Sequence, residues 1–213
     1  MVVFGVIAAV LVLAIGGAFA AGVFSGGGGG ESGPLEASTN VKLEPGELEV
    51  KWPGLGPGQT DPDLPDQVMA VIGKYVDNGI VPGLRTGKVK TAALADAFDL
   101  GALDQLDGEA RGTLLDEKLP KAIGKLTIIA PPIEITALND ADNKTVLASA
   151  KVDLDIRVRS AKGFYSVKHE GELVLAPDTE GTWRVTGWDV KALRTPPAAR
   201  APWVTTTTAE KKK

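Results

Sequence analysis

The chain of 213 residues contains no cysteine, so it can build neither a disulfide framework nor a thiolate metal site, and it has no cysteine nucleophile. It holds one histidine, His169, and its carboxylates are scattered without ligand spacing, so no metal site is expected. No other cofactor motif is present. Glycines 26–30 lack the Lys-Ser/Thr pair of a phosphate loop, and no serine sits in a nucleophile motif. Aromatic residues are few, at 5%, and are not interleaved with a basic stripe. With a formal net charge of −4, the chain is not expected to bind nucleic acid.

The most informative absence is that of charge in residues 1–24, which form a single apolar run. As a helix this run would reach roughly 35 Å, against about 30 Å of hydrocarbon in a bilayer. It is expected to be a transmembrane anchor in contact with membrane lipid, with the following domain outside the cytoplasm. The alternative is a signal segment cleaved after Ala20, because Ala18-Phe19-Ala20 has the small-x-small form of a cleavage site. No Lys or Arg precedes the run, so charge gives no guide to orientation.

Residues 25–62 are dense in Gly and Pro and read as a tether. Within it, 41–52 reads as a hairpin about Pro45-Gly46 or as an extended arm whose Trp52 docks onto the domain or a partner. Residues 63–194 read as one domain, large enough for a proper core. It opens with about three helices. Asp63 is placed to cap the first, in which Val68, Val71, Ile72, Tyr75 and Val76 recur at helical spacing until Asn78-Gly79. Residues 90–98 form a second, and a third follows Asp107 with Ala110, Leu114, Leu115 and Leu119 inward.

The helices need a sheet to cover. Over 146–158 apolar and polar residues alternate without a break, as in a strand with one buried face. A tight turn at Ala161-Lys162 pairs Val158 with Tyr165, Ile156 with Val167 and Leu154 with His169, while Asp153 meets Glu170 on the outer face. Residues 133–138 precede this hairpin as a shorter strand. Residues 182–192 follow as the last strand, with a bulge expected at Gly187. The fold class is α+β, with helices on a bent antiparallel four-stranded sheet. Residues 195–213 read as a disordered tail.

A long first helix, two short ones and a bent sheet ending in Trp183-Arg184-Val185-Thr186-Gly187-Trp188 resemble the nuclear transport factor 2-like cone fold. Behind a single span, this layout is similar to the mammalian-cell-entry-associated membrane proteins of bacteria. The resemblance covers roughly residues 63–193 and carries no specific motif. It implies an accessory subunit that docks with a protein partner in an envelope complex, not an enzyme. The tether is longer than such relatives usually need.

Some cone folds are isomerases or cyclases with an acidic or histidine residue on the inner sheet face. The corresponding candidates are His169, Asp189 and Tyr75. If the last strand pairs without a net shift, Leu173 meets Val185 and His169 meets Asp189; a bulge at Gly187 would instead turn Asp189 outward. A chamber for a small apolar ligand would be lined by Tyr165, Leu154, Ile156 and Trp183. The plainer reading gives His169 a hydrogen bond in the core and makes the tyrosines and tryptophans packing residues.

Overall fold

The computed structural model describes residues 38–53, 59, 61–106 and 108–203. The expected anchor, the first part of the tether, the cap at Asp107 and residues 204–213 lie outside them. Among the described residues no helix is long and apolar enough to cross a membrane.

The α+β class holds, with a mixed sheet of seven strands in place of four antiparallel ones. In chain order the strands are β1 (Thr39–Lys42), β2 (Pro45–Lys51), β3 (Ala122–Ile129), β4 (Ile133–Asn139), β5 (Thr145–Ser160), β6 (Gly163–Pro177) and β7 (Trp183–Arg194). The hairpin of β5 and β6 has the register that alternation predicts, from Ala148 opposite Leu175 to Val158 opposite Tyr165. Asp153 does face Glu170, and Lys168 offsets that repulsion by reaching both, at 3.1 and 3.3 Å.

The extra strands come from two sources. β3 and β4 lie end to end along β5, opposite its second and first halves, and are separated at Ala130, Pro131 and Pro132. Proline has no N–H for the ladder, so one long strand is broken into two. The arm at 39–51 is not a hairpin. β1 runs parallel to β3 and β2 parallel to β4, so the arm copies the break beside it as a second edge. Arg85 holds its start, donating to Ser38 O at 2.6 Å and to Gly124 O at 3.1 Å. Val41, Leu43, Leu48 and Val50 pack partly against the core.

Five short helices cover the inner face: α1 (Leu64–Tyr75), α2 (Val81–Thr86), α3 (Thr91–Leu94), α4 (Leu100–Gln105) and α5 (Gly108–Leu115). Asp63 precedes α1 but makes no side-chain cap bond. Asn78-Gly79 does not end the first helix. A widened turn, Val76–Ile80, carries it into α2, which stops at Gly87. Pro82 has no N–H for the carbonyl of Asn78 and its ring crowds that carbonyl, which a wider turn relieves. The second expected helix is a single turn, α3, and α4 is an addition, capped by Asp99 accepting from Ala102 N at 2.6 Å. Gly83 sits so close to the end of α5 that an added Cβ would stand 1.7 Å from Leu115 O.

The last strand has its bulge. Val174 faces Gly187 but Leu175 faces Val185, which leaves Thr186 as the extra residue. Past this point the inward set changes parity. Residues 195–203, expected in the tail, stay on the domain: Phe164 and Ala198 exchange backbone hydrogen bonds, and Trp203 packs edge-on against Phe164 at 6.1 Å.

Candidate functional site

The bulge decides which side chains meet His169. With Thr186 extruded, His169 lies opposite Ala192, and Asp189 lies opposite Glu172 on the exposed face. The expected His169–Asp189 pair is therefore not formed. The same change of parity turns Arg194 inward, opposite Val167.

His169 is fully buried opposite Leu154, and its partner is Asp116, the residue directly after α5. Nε2 stands 2.8 Å from Asp116 Oδ2. Neither atom has a hydrogen-bond partner of good geometry, so the two groups are in close contact without an aligned hydrogen bond. Arg194 donates to Asp116 Oδ1 from Nε at 3.0 Å and from Nη2 at 2.8 Å, and Nη2 also donates to Gly112 O at 2.7 Å. A cation beside the free carbonyls at the end of a helix is favourably placed. Asp116 adopts φ 54°, a left-handed conformation that Asp tolerates better than most residues.

Tyr75 closes the other side of the imidazole. Its hydroxyl donates to Leu114 O at 2.8 Å and stands 3.5 Å from His169 Nδ1. The four side chains thus join α1, the end of α5, β6 and β7 through one polar group, buried except at Arg194. Tyr165 lies nearby, with its hydroxyl donating to Pro120 O at 2.5 Å. Burial pushes the Tyr75 phenol well above its ordinary value of 10.0, and the charge of Asp116 pushes it further. Tyr165 is raised by the same two causes in the same order.

These are the two tyrosines of the chain, which gives a direct test. A phenol whose pKa is raised on folding contributes stability that is fully present below its unfolded value near 10 and is lost as pH rises toward the folded value. Above pH 10 the domain is expected to lose about 1.4 kcal/mol per pH unit for each tyrosine. Absorbance at 295 nm should show tyrosinate only together with cooperative unfolding. A gradual titration with circular dichroism unchanged would contradict the burial of both rings.

The inward candidates are packing residues. Leu154, Ile156 and Tyr165 lie in the core, and Tyr75 meets Phe98 edge-on at 5.5 Å. Two surface cavities flank the domain, and Leu154, Ile156, Tyr165 and His169 line neither. One, of about 490 Å³, lies between the β4–β5 and β6–β7 turns and is bordered by Trp183, Asp61, Asn143 and Asp178. The other, of about 280 Å³, lies beside α5 and is bordered by Gly112, Lys118, Asp116 and Arg194. Asp116, which touches the imidazole, is part of its lining. Among the described residues no group of His, Asp and Glu is arranged to hold a metal ion.

Asp116 and Arg194 are the partners that the sequence reading misses. Asp116 is not among the inward positions of the expected third helix, Ala110, Leu114, Leu115 and Leu119. Arg194 lies one residue from the proposed tail and turns inward only because Thr186 is extruded. Comparisons with known protein families, curated proteins and solved structures give no match.

Proposed function

We propose that the chain is a membrane-anchored, extracytoplasmic binding or scaffolding domain, an accessory subunit that docks with a protein partner in a bacterial envelope complex. The observation that supports this reading best is the filled interior. The inward faces of β5 and β6 are packed against helices, and His169 is sealed by Asp116, Tyr75 and Leu154. A general base must reach a proton on its substrate, directly or through one water. His169 has no such access, which weakens the alternative of an isomerase-like or apolar-ligand cone.

The arm supports the same reading. A chain leaving an anchor at residues 1–24 would enter the domain at Ser38, which Arg85 ties to the sheet. The test is purification of the full chain from its native membrane in several mild detergents. A stoichiometric protein partner is the expected result. A clean monomer in every detergent would overturn the scaffolding reading. Reporter fusions placing the C-terminus in the cytosol would overturn its orientation.

A further inference from the structure

The domain has one basic end, and the described residues begin and end beside it, at Ser38 and Trp203. Ser38 lies beside Lys125, since Thr39 pairs with Leu126. Leu126 in turn pairs with Val158 near the β5–β6 turn. At this turn the outer face carries Lys125, Arg157, Arg159 and Lys162, and the returning segment adds Arg200. Arg157 is paired with Asp155 at 2.8 Å. Lys125, Arg159, Lys162 and Arg200 are exposed and form no ion pair among the described residues.

Aromatic rings lie among these cations. Arg159 stands over Phe164 at 5.8 Å and Arg157 over Trp203 at 5.9 Å, while Ile123 is 40% exposed on the neighbouring strand. Basic side chains around a tryptophan and an exposed apolar residue suit the headgroup layer of a membrane, where ring and charge are both accommodated. The far end of β5 differs. Around the β4–β5 and β6–β7 turns stand Asp61, Asp140, Asp142, Asp178 and Glu180, against Lys144 and Arg184. Charge is therefore segregated along the sheet.

We propose that this basic end docks on an anionic lipid surface and orients the domain with its acidic end away from the bilayer. The proposal rests on the anchoring reading above. Residues 25–37 separate residue 24 from Ser38 and, fully extended, span at most about 45 Å. They hold the domain close enough to meet the surface repeatedly but do not choose which end meets it. The segregated charge does.

The absence of cysteine makes the test clean, because a single introduced cysteine takes a fluorophore at one position. Ala161→Cys marks the basic end and Ala141→Cys the acidic end; both sites are exposed turn residues. The full chain is reconstituted into phosphatidylcholine vesicles, with or without about one third phosphatidylglycerol, and acceptor-labelled lipid reports proximity. The label at 161 is expected to transfer energy roughly twofold more efficiently in the anionic vesicles. Addition of about 0.5 M salt, or the pair Lys125→Glu and Arg159→Glu, should remove that gain. The label at 141 should change little.

Equal transfer from 141 and 161 in anionic vesicles, or a gain untouched by salt and by charge reversal, would overturn the docking proposal. Binding of the same patch to duplex DNA, lost in the same double variant, would overturn it in favour of a nucleic-acid partner. Flotation separates these failures from that of the anchoring reading. A chain that floats with neutral vesicles but shows no preferred end refutes docking alone, whereas one that floats with no vesicle refutes the anchor and the docking together.

Discussion

Replacing Asp116 by alanine is expected to cost about 3–5 kcal/mol of folding stability, the usual cost of removing one partner from a buried charged group. The carboxylate meets His169 and Arg194 from different strands, and its side chain is fully buried. Without it, Arg194 keeps only Gly112 O among these contacts, and His169 Nε2 loses the carboxylate beside it. Alanine also fits φ 54° less well than aspartate. Asp116→Asn should cost clearly less, because an amide oxygen still accepts from Arg194 and asparagine tolerates the left-handed region. Urea unfolding at neutral pH measures both. An alanine variant within 1 kcal/mol of the parent would show that the network does not carry the junction of α5 with β6 and β7.

Gly83→Ala is expected to be as damaging for a different reason. The added Cβ would stand 1.7 Å from Leu115 O and 2.9 Å from Leu115 C. These are backbone atoms, so no rotamer change makes room. Either α2 or the end of α5 must move, and Asp116 is the next residue along. A loss of roughly 3 kcal/mol or more follows from overpacking with a backbone shift. Gly73→Ala is the matched control. Gly73 lies in α1 with nothing within 4 Å of its added Cβ. There alanine should stabilise by up to about 1 kcal/mol through helix propensity. Comparison of the two urea midpoints removes the general effect of glycine replacement. Similar midpoints would contradict the close packing of α2 on α5.

The parts of this fold that are legible in the sequence are those whose partners are near in sequence. The β5–β6 hairpin is fixed by an unbroken alternation on each side of a two-residue turn, and a slip of one residue would expose its whole apolar face. Its register follows, as does the inward position of His169. β3 is harder to see because one inward slot is held by Gly124, which adds no apolar side chain to the pattern. The arm is harder still. Its strands pair in parallel with residues more than eighty positions away, and no turn encodes that choice.

The site was half legible for the same reason. That a bulge lies near Gly187 can be read from the broken alternation, but its effect on register cannot. Extruding Thr186 sends Asp189 to solvent and turns Arg194 toward Asp116. A single inserted residue therefore exchanges the carboxylate expected beside His169 for a different one, Asp116, held in place by an arginine. The continuity of α1 into α2 shows the same limit. Asn-Gly reads as a stop, and only the packed geometry around Pro82 shows that the chain widens and goes on.

The parallel arm also has a mechanical meaning. A pull on Ser38 directed along β1 runs with the strand and across its hydrogen bonds to β3, so the rungs share the load at once, as in a lap joint. A pull at right angles would instead unzip them one by one. Arg85 reinforces the first rung, where peeling would have to begin. An attachment built this way resists tension along β1 and yields to tension across it.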